Sequence, residues 1–382
     1  MAGASSGYDV GAMPPTHSRI RVGLIGAGKV ALANHVPGLA LLPQVELSAL
    51  CDADPHVLDQ ARRSTGVTAC FANAQEMIDA DAIDAVIIAT PNHVHREIAL
   101  AAIHTGKHVL CEKPLALTLA DAREMRAAAD AAGVRHMTAF TYRFVPAMRY
   151  MRHLVTTGAI GTPLHFRAWR FQDWGRRALA WRQRADLAGT GELGDMMSHR
   201  LDYAHFLVGP LARVTAMTRR IHDTRVDAEG RSFPADVEDW VAMVGTFVSD
   251  ASAVLESTKT ATGRGEGSEG EDFCEVNGTE GTAIYRLGDP LHIQIARKNG
   301  RLEREVVPPA WMKVSSSPRD PNAGDPRQTF RYDQNAEFVQ AIEQRRACDP
   351  SFADGVRVQA VMDAIMQSAR EGRTVDVDRS DW

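Results

Sequence analysis

The chain has 382 residues and a formal net charge of −5. That length exceeds one ordinary core, and the balance lacks the basic excess that nucleic acid or an anionic membrane calls for. Its cysteines, Cys51, Cys70, Cys111, Cys274 and Cys348, are scattered without a CxxC pair, so the reading is no metal, no disulfide framework and a reducing, cytoplasmic setting. No apolar run reaches the roughly 18 residues that span a bilayer.

Residues 1–18 are small, polar and Pro/Gly-bearing and read as a loose tail. The apolar run Ile20 to Ile25, stopped by glycine, predicts a buried strand, with a helix from Lys29 to Leu42 after it. Further strands are expected at "VELSALC", "VTACF", "DAVIIAT", "HVLC" and "RHMTAF", and helices at "PHVLDQARRS", Val94 to Thr105 and "TLADAREMRAAADAAG". Thr118 is a suitable cap for the last helix, and Gly133 its stop. Strands alternating with helices, with near-continuous apolar strands, predict an α/β, doubly wound parallel sheet covered on both faces, over residues 19–140.

The first strand runs into "GLIGAGKVA". Gly26 allows a tight turn, Gly28 lets the backbone approach a pyrophosphate, and Ala31 permits close helix–strand packing. The helix that follows offers free N–H groups and a positive dipole end. Asp52 closes the second strand, where a carboxylate takes the ribose hydroxyls and repels a 2′-phosphate, so NAD is expected rather than NADP. Asp54, ahead of Pro55, reads as a turn or capping residue, and Arg62 and Arg63 as solvated helix charges. "ATPNHVH" then turns at the carboxyl edge of the sheet through Thr90 and Asn92, and the next strand ends there on Cys111-Glu112-Lys113-Pro114. Lysine is costly in apolar core and proline cannot extend a ladder. This strand end therefore reads as a ligand edge, with a cis Lys113–Pro114 bond compatible with so tight a turn.

The ordered set "GLIGAGKVA", "ATPNHVH", "CEKPLA" and the later "GDMMSH" resembles the glucose–fructose oxidoreductase/inositol dehydrogenase (Gfo/Idh/MocA) family. The resemblance implies a Rossmann domain followed, over residues 141–382, by an α+β domain with a large, mostly antiparallel open sheet. It also implies NAD(P)-dependent chemistry on sugars, cyclitols or related polyols. The family's catalytic lysine falls on Lys113, its D-x-x-x-H motif falls on Asp195 and His199, and Glu112 lies near the nicotinamide ribose. The candidate cofactor set is Gly26, Gly28, Lys29, Val30, Asp52, Thr90, Asn92, His95, Glu112 and Lys113.

In the second half, "PLHFRAWRFQ" alternates as a strand, and a loop rich in Trp and Arg follows. Indole faces and planar guanidinium forks suit sugars, Trp181-Arg182 above all; the alternative is a loop pinned to the surface by its tryptophans. In "GTGELGDMMSHRLDYAHFLVGP", Asp195 and His199 lie one helical turn apart. A carboxylate so placed can orient an imidazole, with Asp202 as a further partner. Relatives carry a third glycine where Thr190 stands. The candidate substrate set is Arg143, Trp181, Arg182, Thr190, Asp195 and His199. A run of strands follows, whose exposed face would join copies into a homodimer or homotetramer. Residues 262–272 read as a mobile loop, and residues 308–328 as a lid or subunit contact.

These features predict an NAD-dependent oxidoreductase moving a hydride between nicotinamide and a secondary alcohol of a sugar, sugar derivative or cyclitol. Two alternatives stay open on the sequence: a redox-neutral NAD-using epimerase, lyase or glycosidase of the same fold, and a non-catalytic cofactor-binding regulator.

Overall fold

The computed structural model describes residues 19–267 and 270–382. The expected loose tail lies outside the described residues, as do residues 268 and 269 of the expected mobile loop.

The first sheet contains β1 (Ile20–Ile25), β2 (Val45–Cys51), β3 (Cys70–Phe71), β4 (Ala85–Ile88), β5 (His108–Cys111) and β6 (His136–Thr138), ordered β3-β2-β1-β4-β5-β6 and parallel throughout. All four residues of β4 are buried, as a sheet covered on both faces requires. The strand order reverses between β1 and β4, and in such folds ligands bind in the crevice at that point. The third strand is shorter than "VTACF" predicts. It sits at the sheet edge and reaches only Leu50 and Cys51 of β2.

Local chemistry sets the helix ends. Helix α2 (Pro55–Thr65) starts at Asp54, which accepts from the N–H of His56 at 2.8 Å, and closes at Gly66 with φ +76°. After α3 (Ala74–Asp79) and α4 (His95–His104), α5 (Leu119–Ala132) starts at Thr118 and closes at Gly133 with φ +66°. The helix after β1 is less regular than predicted. Ala31–His35 forms a π turn and only Val36–Ala40 is α-helical (α1). Pro37 has no N–H to give the carbonyl four residues back, and the turn ahead of it widens.

The second sheet has nine strands: β7 (Pro163–Phe171), β8 (Leu211–Arg219), β11 (Trp240–Phe247), β12 (Ser252–Thr258), β13 (Glu271–Gly278), β14 (Gly281–Arg286), β15 (His292–Arg297), β16 (Glu303–Val306) and β17 (Val375–Asp376). Their order is β16-β15-β14-β13-β7-β12-β11-β8-β17. Only β7 and β12 pair in parallel; the other pairs are antiparallel. The short strands β9 (Thr224–Val226) and β10 (Ser232–Pro234) form a separate hairpin.

Helix α6 (Pro146–Thr156) packs on β14 and β15, α8 (Ser198–Leu207) on β7 and β13, and α11 (Phe352–Glu371) along β8. The short helices α7 (Ala185–Ala188) and α9 (Pro326–Thr329), with α10 (Tyr332–Glu343), complete the set. Residues 308–328 do not stand free: buried Arg319 binds Asp333 of α10 at 2.9 Å and the carbonyl of Met312 at 2.6 Å. Among the described residues no helix is long and apolar enough to cross a membrane.

Between the two sheets α11 also packs against α5 and β6. The Thr138 hydroxyl donates to the Ser351 carbonyl at 3.0 Å, and Gln359 reaches the Leu117 carbonyl at 3.4 Å. A Cβ at Gly355 would stand 2.7 Å from both Leu115 and Thr138, so glycine sets how closely α11 approaches.

The second domain buries several charges in pairs. Arg200 on α8 forms an ion pair with Asp272 on β13, both fully buried, and the Tyr203 hydroxyl donates to the same carboxylate at 3.2 Å. Removing one partner strands the other charge in the core. Arg200→Met should cost about 3–5 kcal/mol, read as a lower urea midpoint with an unchanged slope. A midpoint like that of the parent would show that this pair does not hold α8 to the sheet.

Candidate active site

The carboxyl ends of β1, β4 and β5 form one wall of a cleft, and the segment 181–199 forms the other. Two cavities adjoin there. One, of about 620 Å³, is lined by Gly26, Gly28, Asp52, Thr90 and Trp181. The other, of about 200 Å³, is lined by Val30, Thr90, Asn92, Glu112, Lys113, Tyr142, Trp181, Arg182, Thr190, Asp195, His199 and Arg331.

The larger cavity is built for close backbone approach. Gly26 has φ +87°, and a Cβ there would stand 2.6 Å from the Ala89 backbone, so the loop after β1 passes this close to the end of β4 only as glycine. A Cβ on Gly28 would meet nothing within 4 Å, which leaves the space above the loop free for a ligand. Asp52 accepts from the N–H of Ala27 and of Asp54, each at 2.9 Å, which fixes a carboxylate at the cavity edge.

In the smaller cavity, Lys113 follows β5 through a cis bond to Pro114. Its ammonium donates to the Asp195 main-chain carbonyl and lies 3.3 Å from the Asp195 carboxylate. Asp195 sits in a π turn, Leu193–Met197, that leads into α8. Arg182 reaches the same carboxylate at 3.5 Å. Burial alone would raise Asp195, but Lys113, Arg182 and Lys259 outweigh it and bring it down to about 2.

His199 is 4% exposed. Its Nδ1 is buried with no partner, and the ring meets Tyr142 edge-on at 4.6 Å. Burial pushes it well below the ordinary histidine value, and Lys113, Arg200, Arg331 and Arg170 push it further. It is therefore a neutral imidazole at neutral pH. Sequence reading paired Asp195 with His199, and Asp202 with the same ring. The structure does neither: two cations claim Asp195, and Asp202 binds Arg143 at 2.5 Å.

Glu112 accepts from His35 at 2.9 Å, and the other ring nitrogen of His35 meets Asn335 of α10 at 3.1 Å. Burial would raise Glu112, yet His35 and Lys113 bring it below its ordinary value. Asn92 donates to the Ala188 carbonyl at 2.9 Å.

Three of the candidate residues lie outside the two cavities. Arg143 does not reach this cavity; Asp202, Asp349 and Asp354 hold it elsewhere. His95 lines neither cavity. It is fully buried, with one ring nitrogen 3.1 Å from the Pro114 carbonyl and the other 3.1 Å from the Thr90 carbonyl, so it packs behind the two turns and gives its N–H to one of them. Lys29 is exposed and lines neither cavity. Of the Trp/Arg loop, Trp181 and Arg182 reach the cleft, with Arg182 over the Trp181 ring at 4.2 Å. Trp174 is buried against Lys259 instead.

Sequence reading missed Tyr142, Arg331 and Glu192. Arg331 sits 5.3 Å from the Tyr142 ring centroid. Burial would raise the Tyr142 phenol, but Arg331, Arg170 and Arg200 bring it below its ordinary value. Glu192, three residues before Asp195, was visible as an acid at the helix start, but nothing local says that it is buried. The hydroxyls of Thr90, Thr141 and Thr190 are buried at the cleft without partners, as befits groups that await a ligand. Among the described residues no group of three or more His, Cys, Asp or Glu could hold a metal.

The profile "Oxidoreductase family, NAD-binding Rossmann fold" matches residues 20–140, and "GFO/IDH/MocA C-terminal domain" matches residues 148–284. The chain belongs to the GFO/IDH/MocA family. It is an oxidoreductase that binds NAD. Levoglucosan dehydrogenase of Pseudarthrobacter phenanthrenivorans is 32% identical, over 94% of this chain and 98% of that one. D-Apiose dehydrogenase of Paraburkholderia graminis is 29% identical, over 96% and 92%. Among solved structures, levoglucosan dehydrogenase in complex with NADH and L-sorbose superposes with a TM-score of 0.86 at 32% identity, over 95% of this chain and all of that one. An oxidoreductase domain protein from Kribbella flavida gives 0.87 at 30%, over 95% and 100%.

Glu192 beneath the site generates a pH prediction. Burial pushes its carboxyl up to about 8, although Lys259 and the Ser257 hydroxyl favour the charged form. A carboxyl raised in the folded state stabilises fully below its unfolded value, and that contribution is lost as pH rises toward about 8. Glu192→Gln should flatten the fall in melting temperature across that window. A parallel fall in both proteins would place the pH dependence elsewhere.

Proposed function

We propose that this family member oxidises a secondary alcohol of a cyclic sugar, sugar derivative or cyclitol, with NAD as acceptor. What supports this reading is one cavity at the end of β5 that holds a lysine fixed by an aspartate from the opposite domain, beside an imidazole kept neutral. Levoglucosan, D-apiose and D-glucoside dehydrogenases among the relatives point to the same substrate class. The assigned division of labour is cofactor binding by residues 19–140 and substrate binding by residues 141–382.

The chain's own residues fit the cofactor. Gly26, Gly28 and Val30 would face the pyrophosphate, and Asp52 the adenosine ribose, where its charge disfavours a 2′-phosphate. Thr90, Asn92 and Glu112 would hold the nicotinamide end. When bound, NAD supplies the hydride acceptor. Lys113 donates to the substrate oxygen and steadies the negative charge that builds there as its proton departs. His199 accepts that proton, since its depressed basicity keeps its lone pair free. Asp195 acts through Lys113, fixing its ammonium by carboxylate and carbonyl together. Trp181 offers an aromatic face to the C–H side of the ring, and Arg182 and Thr190 offer donors to its hydroxyls.

Lys113→Ala and His199→Ala should each lower kcat by about 10²–10⁴-fold on a responsive polyol or glycoside, with the Kd for NADH changed far less. Lost NADH binding at unchanged turnover would sink both assignments.

The second sheet leaves one face uncovered. Met217, Val244 and Val254 lie there on adjacent strands at 67%, 53% and 39% exposure, an apolar patch suited to a second copy of this face. Light scattering should give a dimer or tetramer for the parent and a smaller species for Met217→Glu/Val244→Lys. A parent that scatters as a monomer would refute the interface.

A further inference from the structure

A third cavity, of about 350 Å³, opens between α6, α8 and the start of α11, and shares no lining residue with the two in the active-site cleft. Four guanidinium groups line it, those of Arg143, Arg149, Arg152 and Arg357, against two carboxylates, Asp349 and Asp354. Arg143 is satisfied by Asp202 at 2.5 Å, Asp349 at 2.7 Å and Asp354 at 3.0 Å. Arg357 reaches Asp354 at 3.5 Å.

Arg149 and Arg152 are different. They lie three apart on α6, so their side chains are neighbours on one face. Both are half-buried, and among the described residues neither has a carboxylate within ion-pair distance. Arg149 donates only to the Trp311 carbonyl at 2.9 Å, and Arg152 rests over the Phe206 ring at 5.2 Å. Burial pulls both below the ordinary arginine value, with the charge of Arg143 adding to it for Arg152; Asp333 and Glu337 offset part of it for Arg149, and Asp349 for Arg152. His205 completes the wall; both its ring nitrogens are buried and unpartnered, and burial takes it down to about 3, so it adds no charge.

Charged groups withdrawn from water are normally paired. Here two guanidinium groups border one hollow with, among the described residues, no carboxylate in direct ion-pair contact. We propose that this cleft is a binding site for an oxyanion, a phosphate or carboxylate group carried by a small molecule. The planar forks match such oxygens two at a time, and Phe206 and Trp311 offer aromatic walls to the rest of the ligand. Asp349 is the natural competitor: it is largely exposed and occupies the Arg143 edge nearest the hollow.

The test is calorimetric titration of inorganic phosphate and of citrate into NADH-saturated enzyme, so that the pyrophosphate cradle is filled, with chloride at matched ionic strength as control. Saturable binding is expected, weakened at least about fivefold in Arg152→Gln, the loss of one charge-assisted hydrogen bond, and tightened in Asp349→Asn. Phosphate binding alone assigns a phosphorylated ligand, citrate alone a carboxylate, and both the shared chemistry. Heats that match the chloride control, or an affinity unmoved in Arg152→Gln, overturn the proposal. Should Arg152→Gln fail to fold, Asp349→Asn decides: unchanged or weaker binding there overturns it as well.

Discussion

The contact between Lys113 and Asp195 is the constraint on which the site depends. Lysine closes a strand of the first sheet, and aspartate opens a helix that lies on the second. Neither domain alone supplies a defined ammonium position. The carboxylate lends charge and the main-chain carbonyl lends direction, so the lysine has two fixed acceptors and one proton left over for a ligand. The buried His95, between the Pro114 and Thr90 carbonyls, packs behind the turns that present this lysine.

Electrostatics in the second domain follow from the same arrangement. Arg170, Arg200, Arg331 and Lys113 all act on His199. Burial and that positive field together keep the imidazole neutral, and the field would favour a developing alkoxide beside it. Glu192 completes the balance. Protonated at neutral pH, it leaves Asp195 as the carboxylate that answers the cations, so the charge is carried where the lysine needs it.

Most of the first domain was legible because its signals are local. Alternating strands and helices, a glycine loop after a strand and a capping aspartate at Asp54 all read directly. The positions of Lys113, Asp195 and His199 were legible as motif residues; their partners were not. Arg143 shows why. It stands in the candidate substrate set, yet acids 59, 206 and 211 residues away claim it. Tyr142 and Arg331, 189 residues apart, meet over the same cavity. Such pairings depend on how the sheets stack, which periodicity does not encode. The same limit explains Asp195. Spacing puts it near His199, but stronger cations from elsewhere win it.

Helix α11 gives the architecture a further property. It touches α5 and β6 on one side and β8 on the other, with Gly355 shaved to backbone at the tightest point. It acts as a spacer whose thickness sets the width of the slot between the domains. The slot is therefore gauged by a part of the chain that lines neither active-site cavity. Enlarging or trimming side chains along that spacer would alter turnover by changing a gap, with every residue of the reaction machinery still in place.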